Sequence, residues 1–301
     1  MSTNSQPAGA TDPVSTPRPK RAGSVLIGLI GSGIQASRSP AMHEGEGDCY
    51  GLRIIYKLID LDLLGMGVND LPELLRAAKL TGFSGLNITH PCKQAALEFV
   101  DEVSPEARAV GAINTVVFRD GRLTGYNTDC SGFRASFRQE MDGAARALVV
   151  QLGAGGAGGA VAHALLESGV KRLAICDTDA AKAETLVARL QAGFGAGRAV
   201  TVRDPRDTLI NADGLVNATP IGMDKYPGLP VVHELLRPDL WVADVIYFPL
   251  ETALLREARA LGCRTMDGIG MAVNQAADAF RLITGCEPDI ARMRRHFGAM
   301  R

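Results

Sequence analysis

The hydrophobic positions of the chain fall into short β-branched and aliphatic runs that alternate with longer segments of helical period. In the first half, this pattern predicts a small sheet covered by helices. The expected strands are 25–30, 53–57, 85–88 and 113–118, and the expected helices are 71–80, 93–100 and 132–141. The dipeptide Asp120-Gly121 predicts a hairpin turn between strands at 116–119 and 122–126.

From Ala147 onward the pattern becomes a regular succession of strand, helix, strand and helix. These elements are expected at 147–152, 157–168, 172–176 and 180–190. Such a succession is typical of the βαβ unit in a dinucleotide-binding sheet. Further strands are expected at 214–217 and 242–246, and the segment 270–297 is expected to be helical. The sequence therefore predicts an α/β fold of mostly parallel strands.

Composition and charge narrow the possible functions. A chain of 301 residues with 46% hydrophobic side chains is long enough for two folded domains. Residues 1–22 are rich in Ser, Thr, Pro and Ala and are expected to form a disordered tail. The net charge of −1 gives no field that would gather nucleic acid or an anionic membrane, and no apolar run reaches membrane-spanning length. The expected partner is therefore a small molecule.

Cysteine and histidine spacing indicates a reducing compartment and predicts no metal site. The six cysteines form no Cys-x-x-Cys pair, and the first 24 residues lack the apolar core of a secretory signal. The protein is therefore expected in the cytoplasm, as a monomer or a homodimer. The five histidines show no metal-ligand spacing, so no bound metal is expected.

A glycine-rich hexapeptide follows the strand expected at 147–152 and runs directly into the next helix. It consists of Gly153, Ala154, Gly155, Gly156, Ala157 and Gly158. In such a turn, Gly153 permits the sharp bend, Gly155 lets the backbone approach a pyrophosphate, and Gly158 lets helix and strand pack closely. Glycine turns also serve simple packing, but the strand before and the helix after favour a dinucleotide site held by the helix N–H groups.

Asp177 determines which nucleotide is expected. It follows the second strand of the βαβ unit, in the position where an acid binds the 2′-hydroxyl of the adenosine ribose. Its carboxylate would repel the 2′-phosphate of NADP. Thr178 and Asp179 bring no positive charge, and the nearby Lys182 is more typical of a solvated helix residue. NAD is therefore expected in preference to NADP.

Lys93 and Asp129 are the candidate acid and base. Lys93 follows Pro91, a residue suited to the first position of a helix, so it is expected in the first helical turn. Asp129 stands just before another expected helix. A lysine and a carboxylate that share a proton can protonate a carbonyl oxygen or take the proton of an alcohol. Each residue could instead be a solvated surface group or a helix cap, and spacing alone does not bring them together.

Several segments, taken together, resemble the ordered motifs of the shikimate dehydrogenase family. They are 37–43, 87–93, 111–115, 125–129, 216–223, 244–249 and 267–276. The resemblance implies a substrate domain over 23–140, a Rossmann domain with a doubly wound parallel sheet over 141–265, and C-terminal helices over 266–301 that pack back on the substrate domain. It also implies hydride transfer between nicotinamide and a ring carbon of shikimate or quinate.

The resemblance implies a role for each matching residue. Lys93 and Asp129 would be the catalytic pair. The substrate would be bound by Ser37, Arg38, Ser39, Asn87, Thr89, Asn114, Tyr247 and Gln275. The cofactor would be bordered by the glycine turn and Asp177, and by Asn217, Ala218, Thr219, Gly268 and Met271. Arg38 could bind a substrate carboxylate or point into solvent.

Two departures from the usual family pattern favour the NAD-linked quinate/shikimate branch. Ala36 stands where the ordinary branch has histidine, and Asp177-Thr178-Asp179 stands where it has Asn-Arg-Thr. Ser39 replaces a threonine that is common in the NAD-linked branch, which leaves quinate open as a substrate. Two alternatives also stay open: a dinucleotide-sensing regulatory protein without turnover, and the same chemistry on aminoshikimate.

Overall fold

The structure is a computed structural model that describes residues 24–299, and the predicted tail at 1–22 lies outside the described residues. The chain forms two α/β units, each with a six-stranded sheet. The strands of the first unit are β1 (Ser24–Gly31), β2 (Arg53–Asp60), β3 (Gly85–Ile88), β4 (Glu102–Val103), β5 (Thr115–Arg119) and β6 (Arg122–Tyr126). Its helices are α1 (Ser39–Cys49), α2 (Leu61–Leu64), α3 (Leu71–Leu80), α4 (Pro105–Val110) and α5 (Thr128–Glu140), with 3₁₀ turns at Val68–Asp70 and Ala95–Glu98.

The first sheet is mixed, with the strand order β2-β1-β3-β5-β6-β4. β1 pairs in parallel with β2 and β3, whereas β5 is antiparallel to β3 and β6. The predicted hairpin is present, and its turn residues Asp120 and Gly121 have φ values of 52° and 74°. Because β1 and β3 are parallel, their carboxyl ends meet at one edge, which faces the second unit.

The second sheet is fully parallel. Its strands are β7 (Leu148–Leu152), β8 (Arg172–Cys176), β9 (Ala199–Thr201), β10 (Gly214–Asn217), β11 (Trp241–Asp244) and β12 (Thr265–Met266). Its helices are α6 (Gly156–Glu167), α7 (Ala180–Phe194), α8 (Arg206–Leu209) and α9 (Ala253–Ala260), with a 3₁₀ turn at His233–Leu235. The order β9-β8-β7-β10-β11-β12 is the doubly wound order of a Rossmann sheet, which confirms the predicted fold class.

The last two helices, α10 (Gly268–Thr284) and α11 (Ile290–Ala299), return to the first unit. Phe280 of α10 lies with Phe297 of α11 in one apolar cluster that includes Ile27 and Leu29 of β1. This confirms that the C-terminal helices pack back on the first sheet. The segment expected to be helical over 270–297 consists of two helices, because Gly285 ends α10 in the left-handed region at φ 75°.

The prediction from the sequence pattern differs from the structure in two places near the edge of the first sheet. The helix predicted over 93–100 is absent, because the chain turns there and only Ala95–Glu98 forms a 3₁₀ helix. Lys93 therefore does not lie in a first helical turn. Helix α1 was not predicted, and the interior glycines Gly45 and Gly47 explain why, since glycine disfavours helix. The domain boundaries at 23–140, 141–265 and 266–301 stay predictions.

Candidate active site

Lys93 and Asp129 form a close ion pair where the two units meet. Lys93 Nζ lies 2.6 Å from Asp129 Oδ2, and the two side chains are only 17% and 9% exposed. Asp129 lies in the first turn of α5, where the positive end of the helix dipole favours a carboxylate. The Lys93 side chain lies against the start of α6, since a Cβ at Gly156 would come within 3.3 Å of Lys93 Cδ. The ion pair therefore adjoins the glycine turn.

A series of side-chain hydrogen bonds begins on the first sheet, on strand β2. The Tyr56 hydroxyl donates to Asn87 Oδ1 over 2.7 Å, and Asn87 Nδ2 donates to Thr115 Oγ1 over 3.1 Å. All three side chains are buried, and burial raises the pKa of Tyr56, which keeps its phenol neutral. Each of these bonds therefore replaces a lost hydrogen bond to water.

The series continues to the helix that carries Asp129. Thr115 Oγ1 donates to Asn114 Oδ1 over 3.2 Å, and Asn114 Nδ2 donates to Thr128 Oγ1 over 2.9 Å. Thr128 Oγ1 also reaches Gln275 Oε1 of α10 at 3.5 Å. We call Tyr56, Asn87, Thr115, Asn114 and Thr128 the polar wall. Because Thr128 immediately precedes Asp129, the polar wall ends at the ion pair.

Three more of the predicted substrate residues lie at the same edge of the first sheet. Ser37 Oγ accepts the backbone N–H of Ser39 over 3.3 Å at the start of α1. The Ser39 side chain lies near the Tyr56 hydroxyl and acts to lower the pKa of Tyr56, against the larger effect of burial. Thr89 directly follows β3 and donates its backbone N–H to Ile30 O over 2.9 Å. The structure thus brings Ser37, Ser39 and Thr89 close to the polar wall.

Tyr247 lies in the segment after β11 of the second unit, within the electrostatic influence of the ion pair. Its ring is 44% exposed and packs edge-on against the Phe297 ring, with centroids 5.9 Å apart. Its hydroxyl end is desolvated, which raises the pKa of Tyr247, and the charges of Lys93, Asp129 and Arg38 act on it. The segment after β11 therefore places a phenol beside the proposed proton-transfer pair.

Arg38 binds main chain and aromatic rings in the structure, and its expected role toward a substrate carboxylate stays a prediction. Its Nη1 donates to the Phe297 carbonyl oxygen over 2.7 Å. Its guanidinium also stacks over the rings of Phe297 and Phe248, at 5.0 and 5.7 Å from their centroids. These contacts tie helix α11 to the segment after β11. The arginine is thus engaged in holding the two units together, since planar guanidinium stacks well on aromatic faces.

The glycine turn after β7 has the shape of a pyrophosphate cradle. Gly153 has φ 95°, and a Cβ there would meet the Ala218 carbonyl oxygen at 2.6 Å. A Cβ at Gly158 would meet the Gly153 carbonyl oxygen at 2.3 Å, so the helix and the turn pack as closely as predicted. A Cβ at Gly155 would meet nothing within 4 Å. The turn therefore leaves one side open in front of the first N–H groups of α6, which fits a dinucleotide.

Asp177 lies beside this turn. Its Oδ2 accepts the backbone N–H of Ala154 over 2.7 Å, and its Oδ1 accepts the backbone N–H of Asp179 over 2.8 Å. The carboxylate thus connects the loop after β8 to the glycine turn. Its two oxygens are both used to hold backbone in place.

The other predicted cofactor residues lie along the carboxyl edge of the second sheet. Asn217 ends β10, where its Oδ1 accepts from Thr219 Oγ1 over 2.6 Å and its Nδ2 donates to Asp244 Oδ1 over 3.1 Å. Gly268 begins α10, and a Cβ there would meet a backbone carbonyl oxygen of the segment after β11 at 2.3 Å. Met271, one turn later, is buried. The structure therefore gathers these residues around the glycine turn.

Two comparisons with known proteins decide the family. A model described as the shikimate dehydrogenase substrate binding domain matches residues 29–116, and one described as the shikimate 5′-dehydrogenase C-terminal domain matches 268–296. A protein of Streptomyces avermitilis named shikimate dehydrogenase (NADP(+)) is 56% identical over 274 residues, which are 90% of this chain and 94% of that protein. The chain belongs to the shikimate dehydrogenase family.

Further similarities agree with this family. An Arthrobacter protein, also named shikimate dehydrogenase (NADP(+)), is 53% identical over 280 residues, 92% of this chain and 95% of that protein. The solved structure of quinate dehydrogenase from Corynebacterium glutamicum in complex with NAD superimposes with a TM-score of 0.87 at 48% identity, covering 92% of this chain and 99% of that one. Membership makes the chain an oxidoreductase of the shikimate and quinate dehydrogenase type, as the resemblance of the motifs implied.

The expected preference for NAD is wrong. The relatives at 56% and 53% identity are named NADP(+) enzymes, whereas the NAD-bound structure shares 48%. The structure gives a physical reason why Asp177 did not predict the nucleotide correctly. Its carboxylate is already held by two backbone N–H groups and closes the turn. Moreover, Lys182 and Arg189 line a cavity of about 270 Å³ beside the glycine turn, so positive charge is nearer than the sequence suggested.

Four buried residues of this shikimate dehydrogenase family member were not among the predicted site residues: Tyr56, Asp244, and Thr115 and Thr128 of the polar wall. Tyr56 starts the polar wall, and the inward face of the alternating strand β2 is the signal that could have found it. Asp244 orients Asn217, and burial raises the pKa of Asp244 to about 6. An acid that ends an apolar strand beside the strand of Asn217 was the available signal.

The roles of the individual residues stay predictions, as do the cytoplasmic location and the assembly as monomer or homodimer. Within residues 24–299, no helix has both the length and the apolar character needed to cross a membrane. What the geometry does establish is proximity: Asn114 and Gln275 contact Thr128 beside the ion pair, the lysine of the pair lies against Gly156, and Ala218 and Thr219 lie against Gly153 of the same turn.

Proposed function

We propose that the protein transfers a hydride between a nicotinamide dinucleotide and the ring carbon that interconverts shikimate and 3-dehydroshikimate. The observation that carries this proposal is the buried ion pair of Lys93 and Asp129, 2.6 Å apart, whose lysine lies against the glycine turn. A protein that only sensed dinucleotides would have no use for a proton donor at this place. The names of the relatives at 56% and 53% identity support shikimate as the substrate.

Proton transfer is assigned to Lys93. During reduction its ammonium group donates a proton to the ketone oxygen, and during oxidation its amine takes the proton from the hydroxyl. Asp129 holds Lys93 Nζ in place over 2.6 Å and compensates its positive charge. When bound, the nicotinamide supplies or accepts the hydride. The charges of Lys93 and Asp129 both act on the Tyr247 hydroxyl, and Tyr247 would help to exclude water from this position.

Recognition of the substrate is assigned to the polar wall and to its neighbours Ser37, Ser39, Thr89 and Gln275. A ring that carries several hydroxyl groups needs a matching set of neutral donors and acceptors, and each group left unpaired weakens binding. The internal bonds of the polar wall fix the directions in which its amides and hydroxyls point. Because these side chains are fixed, they can discriminate a ring carbon that carries a hydroxyl group from one that carries only hydrogen. Such discrimination fits a polyhydroxylated ring.

The dinucleotide would be held by the residues around the glycine turn. The open side at Gly155 and the first N–H groups of α6 fit a pyrophosphate. Asn217, Ala218, Thr219, Gly268 and Met271 would border its ribose and nicotinamide. Asp177 would act by holding Ala154 and thus the shape of the turn.

Substitution of Lys93 by alanine tests the assignment. Turnover of shikimate should fall by roughly 10²–10⁴, because the proton donor is lost, while the KM for the dinucleotide should change little. The exposed Lys79 offers a matched control, since Lys79→Ala should leave both constants unchanged. Absorbance of the reduced nicotinamide gives the rates with NADP and with NAD, on shikimate, quinate and aminoshikimate.

Two results would contradict the proposal. Ordinary turnover by the Lys93→Ala variant would remove the lysine from the mechanism. Wild-type protein that binds dinucleotide but turns over none of the three compounds would support a sensing protein. A clear preference for quinate or aminoshikimate would keep the chemistry and reassign the substrate.

A further inference from the structure

Outside the proposed active site, a thiol, an imidazole and a carboxylate converge where α5 packs on α6. They belong to Cys130, His163 and Glu167, and one ligand atom from each lies within 4.8 Å of the others. Cys130 is fully buried and His163 is only 9% exposed. His163 and Glu167 are one turn apart on α6, so they project from the same face of the helix. None of the three has a part in the proposed hydride transfer.

The spacing of these atoms matches that of ligands around one ion. Zinc binds histidine nitrogen and carboxylate oxygen at about 2.0–2.2 Å in a tetrahedral arrangement, which places two such ligand atoms about 3.3–3.5 Å apart. His163 Nε2 and Glu167 Oε1 are 3.5 Å apart. The thiol of Cys130 needs to approach by about 1 Å to complete the site, since sulfur binds zinc at about 2.3 Å.

The charge around the three residues is unbalanced in a way that favours a cation. The charged groups that act on both Cys130 and His163 are Glu106, Glu167 and Arg134, which together carry one excess negative charge. Arg134 lies at the edge of the cluster, where its Nη1 contacts Glu106 Oε1 at 2.8 Å, Cys130 Sγ at 3.8 Å and also Glu167 Oε2, so this guanidinium has to move away from the thiol when a cation binds. The other carboxylate oxygen, Glu167 Oε1, lies toward His163 Nε2 at 3.5 Å.

We propose that Cys130, His163 and Glu167 bind one zinc-class divalent cation that joins the two units. On binding, the S–H bond of Cys130 breaks and its proton passes to solvent, while the thiolate, the imidazole nitrogen and the carboxylate each donate an electron pair to the cation. A thiolate then replaces a thiol, so two positive charges of the cation and one of Arg134 balance three negative charges. This site departs from the expectation, drawn from histidine spacing, that the chain binds no metal.

The position of the site gives the cation a consequence for the proposed function. Helix α5 carries Asp129 in its first turn and α6 begins in the glycine turn, so a cation between them fixes the distance between the two halves of the active site. Motion between domains often accompanies turnover in enzymes with such clefts. Bound zinc is therefore expected to slow turnover without occupying the substrate site.

Calorimetric titration of the full chain with zinc chloride tests the binding directly. We expect one zinc ion per chain, and the absorption spectrum with cobalt(II) should show thiolate ligation. Cys130→Ser and His163→Gln should each weaken binding by more than the roughly 10–100-fold that loss of a group orienting a ligand costs. Cys49→Ser, which changes an exposed cysteine, is the matched control and should bind zinc as the wild type does.

The titration does not depend on the proposed function. The zinc site can therefore be refuted without refuting the proposed function, and the proposed function without refuting the zinc site. Absence of stoichiometric binding, or binding that survives both Cys130→Ser and His163→Gln, would overturn the site. Thermal melts of the variants show whether each is folded, and His163→Gln retains a polar side chain at the edge of the cluster in case Cys130→Ser disturbs the core. Where shikimate turnover is measurable, zinc should inhibit the wild type and spare the His163→Gln variant.

Discussion

The substrate half and the cofactor half of the site are built from different parts of the chain. The substrate half consists of buried side chains that bond to one another, from Tyr56 to Thr128, and of the ion pair of Lys93 and Asp129. The cofactor half consists mainly of backbone, shaped by glycines and held by Asp177. Side-chain identity therefore carries the chemistry of the first half, whereas backbone shape carries that of the second.

This difference explains where inference from a single residue succeeds. A hydroxylated ring is recognised by side-chain groups, so residue types at the edge of the first sheet report on the ligand. A pyrophosphate is recognised by N–H groups that every residue has, so the side chain of Asp177 reports first on the turn it closes. The NAD preference was inferred mainly from that carboxylate, with support from the lack of a cation at residues 178 and 179 and from Ala36, and the names of the relatives at 56% and 53% identity contradict it.

The largest expected difference between the two halves lies in how the free energy of unfolding depends on pH. His43 of α1 is buried beneath the substrate half, with its ring 5.0 Å from that of Tyr56, and burial lowers the pKa of His43 from 6.5 to about 4. The unfolded chain thus takes up a proton at higher pH than the folded one, so the stability contributed is full above pH 6.5 and is lost as pH falls toward 4. Urea unfolding should show the wild type losing ~2 kcal/mol relative to His43→Leu between pH 8 and 5.

For Asp244 in the cofactor half, stability is expected to change with pH in the opposite direction. This residue therefore serves as the control. Burial raises the pKa of Asp244 from 3.8 to about 6, so its contribution is full below pH 3.8 and is lost as pH rises through 6. Relative to Asp244→Asn, the wild type should lose ~1 kcal/mol between pH 5 and 8. If both pairs of proteins shifted in the same direction, burial would not be the cause of either shift.

The sequence predicts the two strands beside the glycine turn better than the segment around the ion pair, for a physical reason. Strands buried on both faces of a parallel sheet are nearly continuous apolar runs, and the predicted 147–152 and 172–176 differ from β7 and β8 by at most one residue. Around the ion pair the chain instead bends with little periodicity, and the helix predicted over 93–100 is a turn. Helix α1, with its interior glycines, carries equally little pattern.

For the candidate site, local pattern supplies the glycine turn, and resemblance supplies most of the rest. The contact of Lys93 with Asp129 joins residues far apart in sequence, so spacing alone does not predict it. Tyr56 and Asp244 act through other side chains, and such partners become visible only when the strands are side by side. Cys130 and His163 meet across the two units, which no local spacing reveals.

The next effect in size tests whether the cofactor half depends on backbone shape. Asp177→Ala removes the acceptor that holds the Ala154 N–H, and a charged hydrogen bond of this kind is worth ~1.5 kcal/mol. The KM for the dinucleotide should rise roughly tenfold, with kcat almost unchanged, in initial-rate measurements with NADP and with NAD. Asp179→Ala, which removes the cap of α7, is the control and should lower stability but not raise this KM. A fall in kcat alone would place Asp177 in the chemical step instead.

The smallest effect tests whether the substrate half depends on its side-chain bonds. Tyr56→Phe keeps the ring that packs on His43 but removes the hydroxyl that donates to Asn87, at a loss of ~1 kcal/mol. The KM for shikimate should rise roughly fivefold, while the KM for the dinucleotide stays constant. Tyr50→Phe, at an exposed tyrosine, should change neither. Because members of one hydrogen-bonded series couple, Tyr56→Phe should add less to the KM in an Asn87→Ala background than in the wild type. A lower melting temperature with an unchanged KM would show that Tyr56 only fills the core, and the contrast between the halves would then rest on the ion pair alone.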